Sequence, residues 1–381
     1  MGMLYLTYAE PPSGVYSSQV VDVVRYVNDK LDAKIRLVAF ISLHDFKKNK
    51  TAILKQLPDA IILPMLPKAT YWKLNTVMLW FITLFTMPKV IISRNVIATN
   101  MALAIRGKSS VRKVCFDGRG AIAAEWKEYD VKVVESWKKE IDQLEEKAVN
   151  QSNFRIAVSS MLVAWWRKQY NYKSNDHVVI PCTLNSSFKA ITPSIQDVKM
   201  SREKLGLMSS DIVMAYSGST AGWQSFSILQ PFLSHYLKQG KNYKVIFLAQ
   251  EEENIQQLEK EFPGQVSRKW VPHQEVPSVL SACDLGILIR EKSITNEVAS
   301  PTKFAEYLSA GLPVIISENL GDYSVFVKNH HCGYVLNGHG YPLLEATSNE
   351  KRAAMIQLVE QYCTKDAHLD SYRTLKESLL N

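Results

Sequence analysis

The sequence predicts an α/β protein with two doubly wound parallel sheets. Short apolar runs alternate with helical patterns along most of the chain, and the polar stretch 185–197, which contains Pro193, interrupts this alternation once. A length of 381 residues is enough for two domains. We therefore expect an N-terminal domain over 1–184, a second domain over 185–348 and a helical C-terminal segment over 349–381.

The N-terminal half contains the first alternation. Residues 17–31 are predicted to be helical because Val20, Val24 and Val27 recur on one side. A charged, exposed helix is predicted over 134–150, and a further helix follows Ser159. Runs rich in Val and Ile predict buried strands at 4–8, Ile35–Ile41, 60–63, 90–92, 113–117, 156–158 and 178–181.

The second alternation begins near residue 199. A helix is predicted over 228–237, where Pro231 is acceptable only in the first turn. The other predicted helices are 200–207, 252–262, 275–282, 301–310 and 350–380. The predicted strands are 212–216, 243–249, 266–271, 285–289 and 314–316. Two such domains would hold ligands at the carboxyl ends of their strands, in the cleft between the domains.

Composition and charge narrow the class of protein. Apolar residues make up 46% and charged residues 22%, which is typical of soluble globular chains. The net charge of +8 favours anionic partners such as nucleotides, lipid phosphates or an acidic membrane surface. The five cysteines are scattered without a Cys-x-x-Cys pair, so we expect neither a zinc site nor a disulfide framework, and a reducing, cytoplasmic compartment. We also expect no signal peptide.

One apolar segment leaves two interpretations open. Residues 76–87 carry no charge and are flanked by Lys73 and Lys89. They are too few to span a bilayer, which takes about 20 residues. The segment is either a buried core helix or an interfacial helix that makes a peripheral membrane contact through 72–87, with Trp72 and Trp80 beside lysines.

The segment 300–316 is the most informative part of the chain. Ser300 is predicted to cap a helix and Pro301 to occupy its first position, which leaves backbone N–H groups for a phosphate. Lys303 and Glu306 are three residues apart and so lie on one face. Such a cation and carboxylate suit a nucleoside diphosphate, with Lys303 at the phosphates and Glu306 at the ribose hydroxyls.

These residues carry a family resemblance. The segment Ser-Pro-Thr-Lys-Phe-Ala-Glu-Tyr-Leu-Ser-Ala-Gly-Leu-Pro-Val-Ile at 300–315 resembles the donor-binding segment of family 4 glycosyltransferases of the GT-B fold, of the bacterial surface-polysaccharide type. The stretches 270–277, 282–290 and 11–14 resemble the base loop, the strand before the donor loop and the glycine loop of that family. The resemblance is specific over residues 205–345, and the resemblance of the N-terminal half is weaker.

The resemblance implies a function for each domain. The N-terminal domain would bind the acceptor and the C-terminal domain the nucleotide-sugar, for which we expect a UDP-sugar. The C-terminal helix would cross back to the N-terminal domain. It implies a retaining transfer without a metal and with no cofactor besides the nucleotide-sugar co-substrate. The residues that it places at the donor are Gly14, Ser219, Trp270, Val271, Ser300, Pro301, Thr302 and Glu306, with His273 ordering the base loop.

The chain departs from the family pattern in two places. The first glutamate of the Glu-x7-Glu pattern would fall at Val298, and Glu297 could replace it only if the loop shifted. The loop 217–222 lacks the basic residues that commonly hold the diphosphate. Arg290 and Lys303 are the expected substitutes, because both can neutralise a leaving diphosphate.

On the acceptor side, Asp117 ends a predicted strand. It is either a general base or acceptor ligand, or a carboxylate paired with Arg119. Arg94 and Asn95 end another strand and could contact the acceptor. A metal site is not expected, since no Asp-x-Asp motif is present and only His330 and His331 are adjacent histidines.

The resulting prediction is a glycosyltransferase that acts on a glycan or lipid-linked acceptor in cell-surface polysaccharide synthesis, at the inner face of the membrane, with no nucleic-acid partner. Two alternatives stay open. A sugar-nucleotide epimerase of the same architecture would need a pair of acid–base carboxylates. A non-catalytic nucleotide-sugar-binding subunit is favoured by Val298.

Overall fold

The computed structural model describes residues 2–129, 135–186, 188, 194–219, 222–272, 274–338 and 340–380. The chain divides into two compact units, each described by itself below. Unit 1 comprises Met1–Asn185, Val298–Ser300 and Lys365–Asn381, and unit 2 comprises Ser186–Glu297 and Pro301–Thr364. Much of the predicted interdomain stretch 185–197 lies outside the described residues.

Unit 1 is built on a seven-stranded parallel sheet. Its strands are β1 (Met3–Tyr8), β2 (Ile35–Ile41), β3 (Ile61–Pro64), β4 (Val90–Arg94), β5 (Lys113–Gly118), β6 (Phe154–Ala157) and β7 (His177–Val179). Their order is β3-β2-β1-β4-β5-β6-β7, and every pair is parallel. The order reverses between β1 and β4, as in a doubly wound sheet.

Helices cover both faces of this sheet. They are α1 (Gly14–Tyr16), continuous with a π-helical stretch Ser17–Val21 and α2 (Asp22–Leu31), then α3 (Phe46–Leu54), α4 (Trp72–Thr86), α5 (Asn95–Ile105), α6 (Ile122–Glu128), α7 (Glu135–Gln151) and α8 (Ser160–Tyr170). One core lies under α2, and a second core contains residues of α4 and α5. None of the described helices is long and apolar enough to cross a membrane.

The predicted C-terminal helical segment is divided between the units. Helix α16 (Asn349–Tyr362) lies in unit 2, whereas α17 (Leu369–Leu380) adds Tyr372, Leu375 and Leu379 to the unit 1 core. At the start of the segment Lys365–Asn381, which belongs to unit 1, the buried Lys365 ammonium lies 2.5 Å from the Asp22 carboxylate and donates to the Leu184 carbonyl. This neutral ion pair compensates the cost of burying a lysine.

Unit 2 is built on a six-stranded parallel sheet. Its strands are β8 (Ile212–Ser217), β9 (Tyr243–Leu248), β10 (Val266–Lys269), β11 (Leu285–Leu288), β12 (Val314–Ser317) and β13 (Gly333–Leu336). Their order is β10-β9-β8-β11-β12-β13, which reverses between β8 and β11. The predicted α/β class with two doubly wound sheets is therefore confirmed.

The helices of unit 2 alternate with these strands. They are α9 (Ile195–Lys204), α10 (Phe226–Gln239), α11 (Glu253–Glu261), α12 (Val276–Ser281), α13 (Ile294–Glu297), α14 (Thr302–Ser309), α15 (Tyr323–His330) and α16. The prediction that Pro231 falls in a first turn was wrong, because α10 begins at Phe226 and places Pro231 in the second turn. Packing of Leu229, Phe232 and Leu233 in the core offsets the hydrogen bond that proline cannot make.

Helix α7 carries a buried carboxyl group. Glu145 is fully buried and accepts the backbone N–H of Ala123 at 2.7 Å, in the first turn of α6. Burial raises the pKa of this carboxyl to about 7, against the lowering effect of that hydrogen bond. The folded protein therefore holds a proton here that the unfolded chain releases near pH 4.5.

We predict that Glu145→Gln stabilises the protein at alkaline pH. Because the folded pKa is raised, the wild type loses stability as pH rises from about 4.5 to about 7, and the neutral amide does not. Urea unfolding should show similar stabilities at pH 5 and a gain of about 2–3 kcal/mol for the variant at pH 8. Glu140→Gln, at a more exposed position of α7, serves as the control. A constant difference between Glu145→Gln and wild type at both pH values would contradict the prediction.

Candidate nucleotide-sugar site

The candidate site lies at the carboxyl edge of the second sheet. Strands β8 and β11, on the two sides of the strand-order reversal, pair only through Leu285 with Met214 and Gly286 with Ala215. Chain leaving their carboxyl ends forms the loop after Ser217 and the stretch that leads to α14. Open α/β sheets bind ligands at this point because the connections diverge there.

Helix α14 begins differently from the prediction. Its first residue is Thr302, with Pro301 in extended conformation at the N-cap and no side-chain cap. The prediction that Ser300 caps the helix was wrong, because its hydroxyl instead accepts the backbone N–H of Cys182 at 2.9 Å within unit 1. The start of α14 therefore carries the positive end of the helix dipole, and its N-cap residue Pro301 provides no side-chain cap.

Lys303 and Glu306 lie on one face of α14, as predicted. The Lys303 ammonium and the Glu306 carboxylate are 2.7 Å apart, and Glu306 is buried while Lys303 is about one-quarter exposed. This pair holds the carboxylate in one rotamer at the first turns of the helix. Their assignment to the phosphates and the ribose stays a prediction.

Arg290 follows β11 and lines a cavity of about 580 Å³. Its backbone N–H donates to the Ser317 hydroxyl at 2.8 Å, and its guanidinium lies 3.4 Å from the Asn296 amide oxygen. The cavity also receives Lys292 and Tyr341, and among its described lining residues neither Lys303 nor Glu306 appears. The two expected substitutes for the basic loop residues thus stand in different local surroundings.

The other predicted donor residues occupy loops at strand ends. The Ser219 carbonyl accepts the Tyr216 hydroxyl at 2.7 Å. Trp270 and Val271 follow β10, and Trp270 is 66% exposed, which leaves an aromatic face available for stacking. Gly14 begins α1 in unit 1. His273 and the rest of the loop at 220–221 lie outside the described residues.

Asp117 is held in a buried ion cluster of unit 1. The Tyr5 hydroxyl donates to its carboxylate, Arg119 lies 3.2 Å away and Arg94 3.7 Å away. Arg94 also donates to Glu10 at 2.7 Å, and Asn95 donates to Glu10 at 2.9 Å. The predicted Asp117–Arg119 pair is therefore confirmed, and the carboxylate is placed as the centre of a structural ion cluster. Burial and the Asp117 charge raise the pKa of Tyr5 well above its ordinary value.

Sequence reasoning missed two tyrosines. The Tyr307 hydroxyl accepts the backbone N–H of Ser217 at 2.8 Å, and Tyr216 holds Ser219 as described above. Tyr307 is the residue after Glu306, within the quoted motif, and a buried phenol there is a signal because its hydroxyl needs a partner.

Comparison with known proteins supports the architecture. No protein-family model and no curated protein sequence matches the chain significantly. Among solved structures, HepE (Alr3699) of Anabaena in complex with UDP and glucose is 14% identical with a TM-score of 0.70, over 99% of this chain and 100% of that chain. A glycosyltransferase from Rickettsia africae is 13% identical with a TM-score of 0.69, over 100% and 98%.

A third similar structure is sucrose-phosphate synthase from Thermosynechococcus elongatus. It is 12% identical with a TM-score of 0.71, over 100% of this chain and 99% of that chain. Such low identities show the fold alone. The chain has the GT-B fold of these glycosyltransferases, which confirms the fold that the resemblance implied.

We predict that Asp117→Asn destabilises the protein, because it leaves Arg94 and Arg119 buried with less compensating charge. Urea unfolding should show a loss of about 3 kcal/mol. The control is Asp370→Asn, which removes an exposed carboxylate 2.8 Å from Arg373 and should leave the midpoint unchanged. Unchanged stability of Asp117→Asn would contradict the structural role.

Proposed function

We propose that the chain is a glycosyltransferase that moves a sugar from a nucleotide-sugar donor to a glycan or lipid-linked acceptor. The observation that carries this is the Lys303–Glu306 pair at the start of an α14 that has no side-chain cap, at the carboxyl edge of a doubly wound sheet. The GT-B fold, which HepE and other glycosyltransferases share, supports the same class.

The chemistry of transfer requires stabilisation of a leaving nucleoside diphosphate. In this proposal the start of α14 at Pro301 and Thr302 and the Lys303 ammonium neutralise its charge, with Arg290 as a second cation. The Glu306 carboxylate accepts hydrogen bonds from the ribose hydroxyls, since its two oxygens can each accept one. The nucleotide-sugar is a co-substrate in this proposal, and the protein's own cations supply the neutralising charge.

The position of the first motif glutamate bears on the stereochemistry. Val298 is buried, and its carbonyl oxygen accepts the Ser159 hydroxyl at 2.7 Å within unit 1. That bond opposes the shift that would bring Glu297 into the same place. Retention, which the resemblance implies, would therefore proceed without a carboxylate from this position.

A non-catalytic nucleotide-sugar-binding subunit is the second candidate, and the same buried Val298 favours it. Acceptor-dependent release of nucleoside diphosphate separates the two. Release that rises with added acceptor supports transfer. Donor binding without turnover on any lipid-linked or glycan acceptor pool supports the binding subunit.

We predict that Glu306→Ala weakens binding of the nucleotide-sugar at least tenfold in calorimetry, because it removes a charged acceptor of hydrogen bonds. Glu203→Ala is the matched control, since Glu203 belongs to an exposed Lys–Glu pair on α9 with a separation of 4.0 Å. Equal affinities for Glu306→Ala and wild type would contradict the ribose role.

We also propose that one face of α4 contacts the membrane in which a lipid-linked acceptor would lie. One face of this helix is buried through Trp72, Leu79 and Thr83. The opposite face exposes apolar side chains at helical spacing, namely Leu74, Val77, Phe81, Leu84 and Phe85, with Tyr71 and Met87 at its ends. The buried-core interpretation thus accounts for one face only, and an exposed apolar stripe of this kind is typical of an interfacial helix.

The charge around α4 favours an anionic bilayer. Residues 60–116 contain eight lysines and arginines and no acidic residue. One of the eight, Arg94, is buried beside Glu10 and Asp117.

Lys68 and Lys73 are exposed beside the stripe, with the Lys73 ammonium 3.9 Å from the Glu140 carboxylate. The Lys108 carbonyl accepts the Trp80 indole N–H. Basic residues next to an apolar face strengthen binding to anionic headgroups. A lipid-linked acceptor would be presented at such a surface.

We predict that Phe85→Asp reduces co-sedimentation with phosphatidylglycerol vesicles about tenfold or more, because the 86% exposed ring would otherwise enter the bilayer interface. The control is Val325→Asp, at an exposed apolar position of unit 2. Equal sedimentation of Phe85→Asp and wild type would contradict the membrane surface.

A further inference from the structure

Two tyrosine hydroxyls bind the backbone on either side of Gly218, where the chain leaves β8. The backbone N–H of Ser217 donates to the Tyr307 hydroxyl at 2.8 Å, and the Tyr216 hydroxyl donates to the Ser219 carbonyl at 2.7 Å. Between them, the Gly218 N–H donates to the Leu248 carbonyl of β9. Residues 217–219 are therefore held by three hydrogen bonds.

The Ser217 N–H points towards β11, where the strand ladder has already ended. The Asp284 N–H, directly before β11, donates to the Val213 carbonyl, and the Val213 N–H donates to the Asp284 carboxylate. Backbone groups of alternate residues in a strand point to the same neighbouring strand. Ser217 therefore faces β11, but the pairing of β8 with β11 goes no further than Ala215 and Gly286. The Tyr307 hydroxyl therefore accepts this N–H where β11 provides no paired carbonyl.

The Tyr307 ring reaches this place because β11 has a glycine beneath it. A Cβ on Gly286 would lie 2.3 Å from Cγ of Tyr307, so no larger residue fits under the ring. Tyr307 is fully buried, and burial raises the pKa of its hydroxyl well above the ordinary value. The hydroxyl is thus a neutral and fixed group at neutral pH.

We propose that Tyr307 is a positioning residue for the diphosphate of the donor, because it locks the loop after β8 to α14. Glu306 and Lys303 project from the same two turns of that helix, so the Tyr307 bond sets the loop backbone at a fixed distance from the cation–carboxylate pair. The Tyr216 hydroxyl, at the end of β8, binds the Ser219 carbonyl of the same segment. This inference rests on the proposed function for the class of ligand, a nucleoside diphosphate.

The test compares two variants that each lose one buried phenolic hydroxyl. Tyr307→Phe keeps the ring on Gly286 and removes the bond to Ser217. Tyr236→Phe is the matched control, because the buried Tyr236 hydroxyl donates to the Pro342 carbonyl in the same unit. Both should lose similar stability, about the amount of one hydrogen bond, so a difference between them reports the site.

Two readouts are measured on the full chain. Calorimetry with UDP, ADP and GDP should show three- to tenfold weaker binding for Tyr307→Phe and unchanged binding for Tyr236→Phe. Amide hydrogen exchange of a peptide covering residues 212–219 should be at least fivefold faster in Tyr307→Phe alone.

The outcomes separate this inference from the proposed function. If the wild type binds a nucleoside diphosphate and Tyr307→Phe binds it as Tyr236→Phe does, the positioning role is overturned and the function stands. If the wild type binds none of the three, the proposed function and the ligand assignment are overturned. Amide hydrogen exchange of the 212–219 peptide then tests whether Tyr307 holds this segment to α14. Faster exchange in Tyr307→Phe than in wild type supports that contact, and equal exchange overturns it.

Discussion

The reversal of strand order between β8 and β11 is the constraint on which the candidate site depends. The two strands pair over only two residues, so the chain beyond Ala215 and Gly286 has no ladder to complete. The hydroxyl of Tyr307, on α14, accepts the Ser217 N–H, and the Tyr307 ring packs against Gly286, where a larger residue would not fit. Without the Tyr307 hydroxyl, the backbone N–H of Ser217 would be buried and unsatisfied at the strand-order reversal.

Charge is distributed in two distinct ways in unit 1. Inside, cations are balanced by carboxylates, with Arg94 beside Glu10 and Lys365 beside Asp22. Such pairs offset desolvation and add little net charge. Outside, the exposed Lys68 and Lys73 lie beside the exposed apolar face of α4. In the proposed function, a lipid-linked substrate would approach this face of α4.

Much of the fold could be predicted from the sequence because parallel strands buried on both faces appear as continuous Val and Ile runs. The position of Lys303 and Glu306 on one face followed from helical spacing. Other features depend on partners distant in sequence. Ser300 meets the criteria for a helix cap, yet the Cys182 N–H competes for its hydroxyl. Asp117 ends a strand like a site residue, yet Tyr5, Arg94 and Arg119 enclose it. Local pattern cannot reveal such contacts, since they arise only when strands far apart in the chain become neighbours.

In the proposed function, the start of α14 and residues 217–219 bind a nucleoside diphosphate. The most direct measurement is calorimetric titration of the wild type with a nucleoside, its monophosphate and its diphosphate, for each of uridine, adenosine and guanosine. The account predicts that for one base the diphosphate binds at least tenfold tighter than the monophosphate, because the second phosphate reaches the helix end and Lys303. Equal affinities for mono- and diphosphate, or no binding of any diphosphate, would contradict it.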